Sequence, residues 1–252
     1  NRYTTTSGIH PDVPKSHNGM GNRTFHVCYE DESSQINESE VVIPIAAKVL
    51  DESKVSRETC GCVVASLQFP RSTLYDQLAG YYNESVYNGF ANASNKHYES
   101  SIAHEIATNL GLGPHAVTID AACASTLYAF DLARRLLDSG DCVSVLCVGV
   151  TLPDPSYVLA GFSTFQIIPP KDDSVGSVPF HPDTKGLCPG EAVSAFVLTK
   201  ESKVPRGVVP RATIRGLHTE NAGRGGVFKP YVEDEMRCIE EVYSDGISKS
   251  CV

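Results

Sequence analysis

The sequence lacks tryptophan, has only two methionines and contains no long apolar run. Crossing a bilayer takes ~20 consecutive apolar residues, so no membrane-spanning helix is expected. Basic residues are also in short supply. Lys and Arg number 21 against 30 Asp and Glu, a formal net charge of -9. Phosphate binding needs concentrated positive charge, so nucleic acid is excluded as the main partner. No charged-then-apolar leader opens the chain, and there is no internal repeat or low-complexity linker. The first residue is Asn1 rather than Met, which is read as a piece of something longer. Cysteine, by contrast, is plentiful: nine, an odd number, in a chain too long to need staples. Cys62, Cys142 and Cys147 sit in apolar, strand-like runs. That is the pattern of reduced, buried thiols in a cytoplasmic protein. The composition, 41% hydrophobic and 20% charged, is that of a globular protein.

Periodicity alternates between strand and helix. Residues 1–36 are polar and irregular. A helix is expected from the cap Asn37, although Pro44 implies a kink or a later start. Gly61 to Leu67 suits a buried strand, and Thr73 to Tyr87 a helix with Leu74, Leu78 and Tyr82 in one row. Ser100 or Ser101 caps the next helix, with Ile102, Ile106 and Leu110 in register and Gly111 ending it. A strand over 116–120 follows. The helix after it runs to about Asp138, with Gly140 as its stop. Cys142 to Val150 is continuously apolar, as expected of a strand covered on both faces. Val193–Leu198 and Ala212–Leu217 are expected to be further strands, and Met236–Tyr243 a helix. The alternation predicts an α/β architecture.

The chemistry concentrates at Val117-Thr118-Ile119-Asp120-Ala121-Ala122-Cys123-Ala124-Ser125-Thr126. A buried strand, a tight turn of small residues and a helix start would place the Cys123 thiol at a helix N-terminus. Peptide N–H groups and the helix dipole favour negative charge there, so the thiol is expected to ionise readily. The same amides can receive the oxyanion formed when a thiolate attacks a thioester. Taken alone, a cysteine after a strand is more often an inert small hydrophobe. The other candidates are weaker. Cys60 and Cys62 form a Cys-x-Cys without a second pair at ligand spacing, so buried strand positions are favoured over a metal site. His97, His104 and His218 read as solvated, capping or loop residues, and His181 as a structural hydrogen-bonding group. Gly223, Arg224, Gly225 and Gly226 read as a turn rather than a phosphate loop.

The run Asp120 to Ser125 resembles the nucleophile motif of the β-ketoacyl synthases, the condensing enzymes of fatty-acid and polyketide assembly. Several further segments share the resemblance. They are Gly161-Phe162-Ser163-Thr164-Phe165-Gln166, Pro179-Phe180-His181, Gly186-Leu187-Cys188-Pro189-Gly190-Glu191-Ala192, and Arg215-Gly216 with Asn221. Cys60-Gly61, Ser66 to Pro70 and Leu152-Pro153-Asp154-Pro155 are most similar to the ketosynthase domains of polyunsaturated fatty-acid synthases. The resemblance is strongest from Cys60 to Lys200. It departs from the family in two ways: the usual glycine-containing first strand is missing, and neither of the family's two histidine motifs occurs.

The resemblance implies a thiolase-like fold, layered α-β-α-β-α and only partly covered. Residues 1–252 would be the N-terminal to middle portion of one condensing domain. It implies decarboxylative condensation of a malonyl-type extender with an acyl group on Cys123. The expected partner is an acyl carrier protein bearing phosphopantetheine-linked acyl and malonyl groups. Phe162, Thr164 and Phe165 would border the acyl tunnel, and Glu191 would support the site from behind. Homodimerisation through the strand of residues 116–120 is expected. No cofactor and no metal is implied. Without the histidines the chain is expected to be acylated slowly and not to condense. Two alternatives stay open. One is a non-catalytic ketosynthase-like partner that shapes an acyl pocket. The other is a thiolase or chalcone-type enzyme acting on acyl-coenzyme A.

Overall fold

The computed structural model describes residues 38–66, 102–113, 115–152, 162, 165, 167, 180–182, 186, 192–221, 223 and 231–244. The chain divides into two compact units. One comprises Asn1–Val41, Leu67–Glu99 and Val150–Val193, and the other Val42–Ser66, Ser100–Gly149 and Ser194–Val252. The helix expected over Thr73–Tyr87 lies outside the described residues, as do Asn37, Ser100, Ser101, His97, Thr164 and Glu191.

Helix α1 spans Glu38–Ser53. Ser39, Val42, Ala46 and Leu50 recur every three or four residues and are buried, which makes them its inner face. Pro44 sits inside this helix, so the expected later start is corrected. Proline removes the bond to the carbonyl four residues back, that of Glu40. Both residues are exposed, on the side of the helix open to solvent.

Strand β1 is Cys60–Ser66, and all seven residues are buried. Helix α2 (Ile102–Leu110) and helix α3 (Ser125–Ser139) both pack against it, which accounts for that burial. Strand β2 (Ala116–Ile119) pairs parallel with β1, Cys62 opposite Ala116 and Ala65 opposite Ile119. A parallel pair needs a crossover, and α2 lies on the connection between the two strands. Its first turn is tied to β2 by the Ala103 N–H donating to Thr118 Oγ1 at 3.3 Å. Its far end is capped by Arg57, which donates to the Leu110 carbonyl at 3.2 Å and to Asp51 at 2.7 Å. Gly111 then turns the chain at φ 64°.

Strands β3 (Ser144–Thr151) and β4 (Ala192–Thr199) complete a four-stranded sheet in the order β2-β1-β3-β4. β3 begins two residues later than the apolar run suggests. The Cys142 and Val143 amides donate to the Leu136 and Thr59 carbonyls instead of to a ladder. α3 ends as expected, with Gly140 left-handed at φ 84°. Val63, Ala65, Ala129, Ala133, Leu137, Val145 and Cys147 form the core between α3 and the sheet. Phe130 of α3 meets Phe196 of β4 edge to face, ring centroids 5.4 Å apart.

One expected strand is overturned. Ala212–Leu217 is irregular, and Ala212 to Arg215 are exposed. Apolar alternation makes a strand only where a neighbouring edge accepts its backbone, and among the described residues this segment pairs with none. The last helix, α4 (Val232–Tyr243), starts four residues earlier than Met236. Asp234 is buried within it and bonds Arg237 at 2.9 Å, and Arg237 in turn donates to Glu220 at 2.6 Å.

Candidate active site

Cys123 is exposed on the turn that links β2 to α3. It stands on the turn at the helix N-terminus, as the sequence suggests. It lies in a single 3-10 turn, Ala122–Ala124, directly before Ser125 opens α3. Ala122 has φ 50°, the left-handed region that costs a side chain about 1 kcal/mol. The residue directly after this strained position is the exposed Cys123.

The turn is held by its own polar groups. The Asp120 carboxylate accepts from the Ala122 N–H at 3.1 Å. The Ser125 hydroxyl accepts from the Ala121 N–H at 2.8 Å and donates to the Ala122 carbonyl at 2.6 Å. The Ala124 N–H donates to the Ala121 carbonyl at 3.1 Å. Ser125 is buried beneath the turn. One hydroxyl therefore ties the peptide after the strained residue to the Ala121 N–H, while Asp120 and the Ala124 N–H hold the peptide before it. Sequence reading missed this role. The available signal was a Ser at the first helical position, where a side chain bonds locally to backbone.

α3 approaches the sheet closely at the same end. A Cβ on Gly149 of β3 would lie 2.8 Å from Thr126 Oγ1 and 3.1 Å from Ser194 Oγ of β4. An isolated glycine inside an apolar strand is the usual mark of such an approach. Deeper along α3, Asp131 is buried at 5% exposure. It accepts from Arg134 at 2.8 Å, Arg135 at 2.9 Å and Thr219 at 3.3 Å. Burial alone would raise its carboxyl, but the hydrogen bonds and charges of the two arginines outweigh that and hold it below the usual aspartate value. Tyr128 Oη donates to the Glu220 carbonyl at 3.1 Å, a second tie between α3 and the segment after β4.

Four of the other described thiols are of a different kind. Cys60, Cys62, Cys142 and Cys147 are buried. Desolvation raises the pKa of all four, pushing Cys62 up to about 12. Cys60 and Cys62 are thus buried strand residues. Among the described residues no three His, Cys, Asp or Glu side chains are grouped to hold a metal ion. His104 stands exposed on α2, and His181 lies in an exposed segment. His218 is half-buried, its Nε2 3.8 Å from a Glu220 carboxylate oxygen. Phe162 is half-buried and Phe165 is 60% exposed. Both belong to the other compact unit than Cys123. Thr164 and Glu191 lie outside the described residues.

This strand, strained turn and helix under an exposed thiol sit within a region that matches a family. Residues 45–204 match the β-ketoacyl synthase N-terminal domain. The chain belongs to that family. It is 33% identical over 234 residues to a polyunsaturated fatty acid synthase polypeptide of Thraustochytrium sp., covering 84% of this chain and 11% of that protein. It is 34% identical to the prosolanapyrone synthase of Alternaria solani, over 53% of this chain and 5% of that one. Among solved structures it resembles the PfaC keto synthase-chain length factor, with a TM-score of 0.67, 23% identity, and coverage of 88% of this chain and 28% of that chain. It also resembles the ketosynthase from module 1 of the bacillaene synthase of Bacillus amyloliquefaciens FZB42. There the TM-score is 0.62 at 23% identity, over 85% of this chain and 37% of that chain. The fold is therefore the thiolase-like fold of ketosynthases. The chain spans about a tenth of the Thraustochytrium synthase polypeptide and about a third of the ketosynthase structures. Among the described residues no helix is long and apolar enough to cross a membrane.

Proposed function

We propose that this chain carries the acyl-accepting part of a condensing domain that elongates acyl chains on a carrier protein, with Cys123 as the nucleophile. The observation that supports this most is the exposed thiol standing directly after a left-handed alanine, on a turn braced from below by Ser125. The Cys123 thiolate attacks the carbonyl of an acyl thioester on phosphopantetheine. A new carbon–sulfur bond forms, the old one breaks, and the carrier thiol leaves with a proton. The amides of Ala121, Ala122 and Ala124 are used within the turn, which leaves the Cys123 N–H to meet the developing oxyanion. A malonyl-type extender on the carrier then loses carbon dioxide, and its enolate carbon displaces the Cys123 sulfur. The family stabilises that enolate with two histidines. Their motifs do not occur in these 252 residues, so residues 1–252 supply acylation and not condensation.

Phe162, Thr164 and Phe165 are proposed to border the acyl chain, and Glu191 to support the site. β2, at one end of the sheet order, is proposed as the pairing edge of a homodimer, and the compartment is proposed to be cytoplasmic. The test is incubation with an acyl carrier protein loaded with a fatty acyl group. Peptide mass spectrometry should find the acyl group on Cys123, with no ketoacyl product when malonyl carrier is added. The alternative of a non-catalytic pocket-shaping partner is favoured instead if Cys123 stays free while the acyl carrier binds.

A further inference from the structure

We infer that Gly149 is a positioning residue for Cys123, acting through the first turn of α3. The inference takes Cys123 as the nucleophile proposed above. Its basis is a chain of close contacts across three elements. On β3, the space where a Gly149 side chain would stand is filled by Thr126 Oγ1, 2.8 Å from an added Cβ, and by Ser194 Oγ, 3.1 Å from it. Real Cβ atoms essentially never have a neighbour at 2.8 Å, so a side chain at 149 requires a shift, and we assign that shift to Thr126. β3 cannot yield in turn. It lies inside the sheet between β1 and β4, and Val145 to Val148 are fully buried.

Thr126 is the neighbour of Ser125, and Ser125 carries two of the hydrogen bonds that hold the turn. Its hydroxyl holds the Ala121 N–H at 2.8 Å and the Ala122 carbonyl at 2.6 Å. A helix start displaced from the sheet takes that hydroxyl with it. The left-handed conformation of Ala122 then loses one of its braces, and only the bonds of the Asp120 carboxylate and the Ala124 N–H still oppose its relaxation to the cheaper right-handed region. That dihedral sets the course of the chain into Cys123. Gly149 touches no reacting atom, yet its missing side chain sets how deeply the nucleophile-bearing turn is seated.

The prediction is tested on the 252-residue chain with iodoacetamide, following Cys123 alkylation by peptide-resolved mass spectrometry at pH 7 and folding by circular dichroism. The proteins are wild type, Gly149→Ala, Thr126→Ala, Gly149→Ala/Thr126→Ala and Gly149→Ala/Thr126→Val. Gly149→Ala should alkylate about tenfold more slowly than wild type. Adding Thr126→Ala removes the colliding oxygen and should bring the rate back to that of Thr126→Ala alone. Adding Thr126→Val keeps a methyl group in the oxygen's place and should not. A general loss of stability would not follow that pattern. A folded Gly149→Ala that reacts at the wild-type rate overturns the inference, as does rescue by Val equal to rescue by Ala. Should Gly149→Ala fail to fold, the double variant with Ala decides. Folding and reacting like Thr126→Ala supports the inference, and failing to fold or reacting tenfold more slowly overturns it. Alkylation needs no carrier or acyl group. Failure of acyl transfer in the wild type would therefore sink the proposed function while leaving this result to stand.

Discussion

Cys123 and the thiols of the sheet are the same side chain in opposite settings. Cys60, Cys62 and Cys147 lie on strands whose backbone is regular and whose surroundings are apolar, with no exposed surface. Cys123 is exposed, beside a left-handed alanine, on a turn wired together by Asp120 and Ser125. Burial makes the first group poor anions, and Cys62 rises to about 12. The difference lies in where the chain bends. A thiol on a strand becomes packing material, and a thiol on a strained turn becomes available for chemistry.

The comparison breaks most visibly at the nucleophile. Cys123→Ala should lower acyl uptake from an acyl carrier by at least ~1000-fold, the scale of losing a covalent nucleophile. Cys147→Ala should leave acyl uptake within about twofold while lowering stability by about 1–2 kcal/mol, read from denaturant melts. Alkylation should follow the same division. At pH 8, Cys123 should react about 100 times faster than Cys60, Cys62 or Cys147, which react only through opening of the sheet. Comparable rates would remove the distinction. Ser125→Ala keeps the cysteine and loosens its turn. Acyl uptake should fall about tenfold, with a stability loss of about 1 kcal/mol for the missing hydrogen bonds.

The smallest effect on chemistry is expected deeper along α3. Asp131→Asn should cost about 1–2 kcal/mol at neutral pH, from weakened bonds to charged partners. Acyl uptake should stay within about twofold. The folded Asp131 carboxyl lies below its ordinary value, so its contribution is complete above the unfolded value of ~3.9 and is lost as pH falls through the folded one. The stability gap between wild type and Asp131→Asn should therefore close on acidification below about pH 4. A gap that persists or widens there would mean that the arginines do not set the carboxylate.

Local signals were legible where one element decides them. The four-residue rows of α2, the stop at Gly140 and the apolar run of β3 are each marked within the element itself, and each is found. The turn at Cys123 was legible because a strand pattern, small residues and a helix pattern adjoin within ten positions. What was not legible depends on contacts distant in sequence. Ala212–Leu217 carries a strand-like pattern, but the ladder partner that would make it a strand is not marked in its own residues. The burial of Asp131 has no mark in its own segment, and one of its partners, Thr219, lies 88 positions away. Gly149 gave the weak signal of a lone glycine in a strand, and only the position of Thr126 turns that into a close approach. Pro44 shows the reverse. A residue that argues locally for an interrupted helix is tolerated because its side of α1 faces water.

The most direct test of the account is to mix the 252-residue chain with an acyl carrier protein bearing a labelled fatty acyl thioester and to map the label by peptide. The expected result is label on the peptide containing Cys123, lost with Cys123→Ala and unaffected by Cys147→Ala. Label on a sheet cysteine, or undiminished label in Cys123→Ala, would contradict it.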